Sequence, residues 1–130
     1  MIAVDTNVVV RLITADHPEQ SQRALALFTQ HEIWIPTSVV LETEWVLRAS
    51  RAFSRAQFVD ALRVLAGLPN VRLEHPTRIA QALNWHGHGM DFADAVHLAA
   101  SDECEFFATF DRRLIAAAGR PDVGRPVREP

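Results

Sequence analysis

The sequence predicts an α/β protein built on a short parallel sheet, and three observations carry that expectation. Apolar runs of strand length stand at Ile2-Ala3-Val4, Ile33-Trp34-Ile35, Val71-Arg72-Leu73 and Phe106-Phe107-Ala108-Thr109. Stretches with helical spacing of apolar residues separate them. Parallel strands need crossover connections, and helices between successive strands provide them.

Asp5 ends the first run, and Val8, Val9, Val10, Leu12 and Ile13 then follow too densely for alternation, as in a strand that feeds a helix. Ala24, Leu25, Leu27 and Phe28 predict a helix from Glu19 to Phe28. Thr37 to Ser50 hold neither Gly nor Pro and are apolar almost all round, which predicts a central helix. Ser54 opens the next, with Phe58, Val59, Leu62, Val64 and Leu65 inside and Gly67 and Pro69 as its stop. Ile79, Ala80 and Leu83 lie on a helix that runs into a solvated His86-Gly87-His88-Gly89 loop. Asp91 to Ser101 and Asp111 to Ala118 read as helices, and Pro126-Val127-Arg128 as a last edge strand. With no internal repeat, linker or low-complexity tract, residues 1–130 are expected to form one domain.

Composition bounds the function. The 130 residues are 48% apolar and 22% charged, enough for one real core. A net charge of −3 excludes binding to nucleic acid or anionic membrane through bulk positive charge, so a polyanion must be held by a local patch or by metal. All 13 basic residues are arginine. A lysine-free chain cannot build a P-loop, a receiver-type phosphorylation site or a Schiff base in the usual form. The single Cys104 excludes an internal disulfide and any Cys-built metal site, and it fits a reducing compartment. No apolar run approaches bilayer length, and Met1 to Asp5 lacks the pattern of a signal peptide, so a soluble, cytoplasmic protein is expected.

The acids carry the chemistry. Asp5 and Asp111 each follow a predicted strand, and in an open α/β sheet such positions share the ligand-binding edge; each is equally a good helix N-cap. Asp91 and Asp94 form a capping-box pattern, yet they also lie within ~60° of each other on the helix wheel. Asp94 stands among Ala93, Ala95, Val96 and Leu98, where an unpaired carboxylate is costly unless a cation or donor receives it. Glu42 and Glu44 share the most apolar helix, ~200° apart, and the wheel does not choose between them. With Glu42 taken as the helix-buried acid, four segments contribute carboxylates and only arginine is present to neutralise them. Hard oxygen ligands without Cys or a paired-His motif favour Mg²⁺ or Mn²⁺ over zinc.

Val4-Asp5-Thr6-Asn7, Val40-Leu41-Glu42, Asp91-Phe92-Ala93-Asp94-Ala95 and Thr109-Phe110-Asp111, in that order, resemble the PIN-domain ribonucleases, most closely the VapC-type toxins of bacterial toxin–antitoxin modules. The resemblance covers the whole chain. It implies a three-layer α/β/α sandwich on a small, four- to five-stranded parallel sheet. It also implies an acidic quartet of Asp5, Glu42, Asp94 and Asp111 around Mg²⁺ or Mn²⁺, with Thr6, Asn7 and Thr109 lining the site and Asp91 as an accessory acid. It selects Glu42 over Glu44, and RNA over DNA. The implied partners are an RNA substrate, a cognate VapB-type antitoxin and a second copy in a homodimer.

Metal held by carboxylates lowers the pKa of water and stabilises charge on a scissile phosphate, which makes a metal-dependent endoribonuclease the leading expectation. Arg48, Arg51, Arg112 and Arg113 are candidate RNA contacts, Arg48 and Arg51 equally candidates to complement a helix C-terminus. Trp34, Trp45 and Trp85 read as core or interface residues, since no basic groove surrounds them in sequence. Two other classes compete. An Asp-nucleophile phosphatase would need a second aspartate where Asn7 stands, and a lysine. A non-catalytic α/β binding module would use the same acids as caps and surface charge.

Overall fold

The computed structural model describes residues 1–130 and divides into two compact units, Met1–Pro76 and Thr77–Pro130. No helix is long and apolar enough to cross a membrane.

The first unit runs β1 (Ile2–Ala3), α1 (Thr6–Thr14), α2 (Pro18–Gln30), β2 (Ile33–Ile35), α3 (Thr37–Arg51), α4 (Arg55–Ala66) and β3 (Val71–Leu73). Its sheet has the order β1-β2-β3, all parallel, with Ile2 beside Ile33 and Ile33 beside Val71. Strands this short form few ladder bonds, so burial must order them: Ile33, Ile35, Val9, Leu47 and Leu62 are almost wholly buried. Side chains fasten the edges. The Asn70 amide donates to the carbonyls of Phe28 and His31, tying the end of α2 to the start of β3. Ser54 and Gln57 start α4 with a reciprocal capping box.

Two ion-based ties hold helices to their neighbours. Pro36 precedes α3 and has no side-chain acceptor, so Glu74, just past β3, accepts from Thr37 N at 2.9 Å in its place. That backbone hydrogen bond, above all, holds the Glu74 carboxyl below its ordinary value. Asp16, in the turn between α1 and α2, receives the Thr14 hydroxyl at 2.8 Å, Arg11 at 3.2 Å and Arg51 from the end of α3 at 2.7 Å.

The second unit runs α5 (Pro76–Gly87), α6 (Phe92–Ala99), β4 (Phe107–Ala108), α7 (Arg112–Ala118) and β5 (Val127–Arg128). Strands β4 and β5 pair in parallel, with Phe107 N bonded to Pro126 O and Thr109 N to Arg128 O. Trp85 and Phe92 anchor the core, and Arg125 lies over the Trp85 ring while donating to Gln81.

The expected α/β class is observed, with seven helices and five strands paired only in parallel. Two expectations need correction. The strands do not form one four- to five-stranded ladder: hydrogen bonding groups them as three plus two, because the two-residue β4 and β5 pair only with each other. His86 is not in a solvated loop. Ile79, Ala82, Leu83 and His86 form one buried helical stripe, which carries α5 on through Gly87. The buried His86 ring donates from Nδ1 to Met90 O at 2.7 Å and meets Phe92 edge-on.

The Asp16 ties make acid a probe of the first unit. The Thr14 hydroxyl, and after it Arg51 and Arg11, hold the Asp16 carboxyl below its ordinary value, against an opposing push from burial. A depressed carboxylate stabilises the fold above its unfolded value, and that contribution is lost as pH falls through the folded value. Asp16→Ala should therefore lower the melting temperature by a few degrees at neutral pH, with the gap to the parent closing in acid. Thermal melts across the acidic range check this.

Candidate active site

Two of the sequence-predicted acids, Asp5 and Asp111, fall at strand-to-helix junctions. After β1 the ladder makes one more bond, from Val4 N to Trp34 O, and the chain turns at Asp5. Asp5 caps α1, its Oδ1 accepting from Val8 N at 3.2 Å, and remains exposed. Thr6 is buried directly behind it. Exposed Asn7 and Asp5 help to line an open cavity of about 500 Å³ between α1 and α2, together with Arg11, Gln20 and Arg23.

On α3 the buried stripe is Val40, Thr43, Glu44 and Leu47, at helical spacing. Glu44, not Glu42, is therefore the buried glutamate, which corrects the expected burial. Its carboxylate is neutralised by Arg48 Nε at 3.0 and 3.3 Å. Glu42 lies off the stripe and is exposed, outside the ion pairs of its unit. Arg48 and Arg51, both in the last turn of α3, are committed to Glu44 and Asp16 respectively. They are thus already engaged inside the first unit, unlike free phosphate contacts.

The second unit gathers three acids. Asp91 caps α6 by accepting from Asp94 N at 3.1 Å. Beyond β4, the Thr109 hydroxyl accepts from Asp111 N at 3.0 Å. Asp111 Oδ1 in turn accepts from Arg113 N at 2.9 Å and Leu114 N at 3.3 Å, capping α7. Asp94 is half-buried. Burial pushes its carboxyl above the ordinary value, the charges of Asp91 and Asp111 push it further, and His97 opposes them. The arginine ion pairs of this unit engage Asp102, Glu129 and Asp122 and leave Asp91, Asp94 and Asp111 aside.

Neither unit alone brings three His, Cys, Asp or Glu side chains into metal-holding range. The donor chemistry nonetheless fits a hard divalent cation: the predicted ligands are all carboxylates, and the raised Asp94 is a group whose charge a cation would compensate. Two residues with clear roles were not picked out in the sequence. Glu74 and Asp16 act on partners 37 and 35 positions away, and no local motif marks such partners. Phe110 is 80% exposed between Thr109 and Asp111.

The Asp94 penalty is testable. A carboxyl raised in the fold destabilises it while charged, and the cost disappears as pH falls through the folded value. Asp94→Asn should raise the melting temperature of metal-free protein at neutral pH, by about 1–4 °C. The gain should fade in acid. Calorimetric melts of both proteins at two pH values check the sign.

Comparison with known families finds a match to the family described as PIN domain over residues 2–120. No curated protein and no solved structure is similar enough to count as a match.

Proposed function

This chain belongs to the PIN domain family, whose members are in general metal-dependent nucleases, and from that premise we propose that it is an endoribonuclease of the VapC toxin type. Asp5, Glu42, Asp94 and Asp111 are the acids that would hold Mg²⁺ or Mn²⁺. Because the family match runs through both compact units, they are read as a single domain. The observation that carries the reading is the mutual charge of Asp91, Asp94 and Asp111, left uncompensated by the arginine pairs of their unit. The exposure of Glu42, with Glu44 already neutralised by Arg48, supports it from the other side.

When bound, a divalent cation supplies Lewis acidity toward the scissile phosphoryl group and acidifies water, so that hydrolysis leaves a 5′-phosphate and a 3′-hydroxyl. The rest is done by the chain. Asp5 and Asp111 each tie Oδ1 to helix N–H groups, which fixes the rotamer and leaves Oδ2 for a ligand. The Thr109 hydroxyl pins the turn that presents Asp111, and Asp91 adds charge as the accessory acid. Thr6 packs behind Asp5 and Asn7 stands at its side. Arg112 and Arg113 are exposed beside Asp111 and take the RNA phosphates. Such a toxin works in the cytoplasm, as a homodimer, under the control of a VapB-type antitoxin.

One observation favours a second reading. Asp5, Asp91 and Asp111 all serve as N-caps, as they would in a non-catalytic binding module. Metal titration separates the two, because a set of caps has no reason to bind Mn²⁺.

Asparagine keeps a cap and loses a charge. Asp5→Asn and Asp111→Asn should melt near the parent yet lose RNA cleavage, whereas Asp111→Ala should also lose about 0.5–2 kcal/mol of stability. Glu42→Gln should abolish cleavage without a stability change; Glu44→Gln should do the opposite. Cleavage supported by Mn²⁺, stopped by EDTA and mapped by sequencing RNA fragments after brief induction reads these outcomes. Full activity in excess chelator would remove the metal from the mechanism.

Inhibition follows the same chemistry. An antitoxin arginine bonding two of these carboxylates with its planar fork would silence the site, while an amphipathic tail lies along α1 and α2, where Leu25 is exposed. Asp5→Asn and Asp94→Asn should then weaken toxin–antitoxin affinity as well as catalysis, by calorimetry at fixed salt. Unchanged affinity in both would place the antitoxin elsewhere.

A further inference from the structure

The second unit holds a large apolar ring that its core does not use. Phe110 is 80% exposed, more than any other large apolar side chain of the protein. Burying such a ring would stabilise the fold, a gain that is forgone here. Single exposed apolar residues are ordinary, so exposure alone assigns nothing. What distinguishes Phe110 is how it is held and what surrounds it.

Both of its neighbours are pinned. Thr109 N donates to Arg128 O at 3.1 Å, closing the β4–β5 ladder. Asp111 N donates to the Thr109 hydroxyl, and the Asp111 carboxylate caps α7. The backbone on either side of the ring is therefore fixed before any ligand arrives, and a preorganised ring loses little freedom on stacking. Three arginines accompany it, with the acids Asp111 and Glu129 beside them. Arg112 and Arg113 follow on the first turn of α7, Arg112 being 90% exposed and only loosely paired with Glu129 at 3.8 Å. Arg128, across the ladder, stacks its guanidinium on Phe106 at 3.8 Å. Of the other exposed apolar side chains, Leu25, Trp45 and Val64 lie on helix faces, Met1 is the first residue and Leu68 follows the end of α4. Leu25 and Val64 are aliphatic, and beside Trp45 the nearest arginine, Arg48, is already taken by Glu44. A flat ring beside exposed arginines matches single-stranded nucleic acid, whose unpaired bases offer π-faces and whose backbone offers the charge.

We propose that Phe110 is a stacking platform for an unpaired base of the substrate strand, a positioning contact that no cap or ligand of the site provides. This rests on the nuclease reading above and deepens it to one residue that holds the substrate. A base held in a helix cannot present its face to the ring without first leaving the stack.

The test uses a short single-stranded RNA that carries 2-aminopurine, whose fluorescence falls on stacking, beside the cleaved bond. Binding is measured with the full chain carrying Asp5→Asn, and KM for cleavage with the Mn²⁺-loaded parent background. Phe110→Ala should weaken binding about tenfold, abolish the quenching and raise KM, whereas Phe110→Trp should retain all three. Melting temperature should stay unchanged, since the ring lies outside the core. A duplex of the same sequence should bind weakly and indifferently to the substitution. Unchanged affinity and quenching in Phe110→Ala, with cleavage intact, would overturn the platform and leave the nuclease reading standing. Failure of the parent to cleave or to bind the strand at all would overturn both. A change in oligomeric mass on sedimentation, with RNA binding unaltered, would make Phe110 a protein contact and would also overturn the platform.

Discussion

A helix begins with backbone N–H groups that have no partner in the helix, and in this chain carboxylates answer them. Asp5 does so for α1, Glu74 for α3, Asp91 for α6 and Asp111 for α7. With strands of two or three residues, the ladder alone cannot dictate where each helix leaves the sheet. The caps do that. A consequence is that negative charge collects at the carboxyl ends of strands, because that is where α/β crossovers start their helices. The same atoms that define the fold thus create a negative field that favours a cation.

That double duty governs how the sequence is read. Helix existence and type were legible almost throughout, since Val8 to Ile13, Thr37 to Ser50 and Ser54 to Leu65 carry strong local patterns, and Ser54 starts α4 with a capping box. Cap and ligand are indistinguishable locally, however. An aspartate after a strand satisfies both roles with one residue, and only charge from elsewhere in the fold tells them apart. Asp94 illustrates this. Its suspicious setting among Ala93, Ala95, Val96 and Leu98 was visible in the sequence, but the burial that raises it most, and the like charges of Asp91 and Asp111 that add to it, are properties of the folded unit.

Phase was the weaker point. On α3, the choice between Glu42 and Glu44 depends on which stripe is buried, and a helix apolar almost all round hides its phase. The structure puts Val40, Thr43, Glu44 and Leu47 inside, so the buried carboxylate is the one that Arg48 neutralises. On α5, the glycines around His86 and His88 suggested a loop, yet the stripe from Ile79 to His86 keeps its spacing and wins over the propensity of Gly87. Tertiary burial decided both cases.

The Glu74 contact has a consequence for how the chain acquires its shape. Because Pro36 brings no acceptor, the first turn of α3 relies on a carboxylate that is synthesised only after α3, α4 and β3. Emerging from the ribosome, α3 starts with that turn left to water, and it gains its cap only when β3 pairs beside β2 and carries Glu74 into place. Helix start and strand order are then acquired together, as one non-local event whose entropy of loop closure is met before the reward arrives. A nascent chain halted before Glu74 holds its central helix without the contact that fixes where that helix begins.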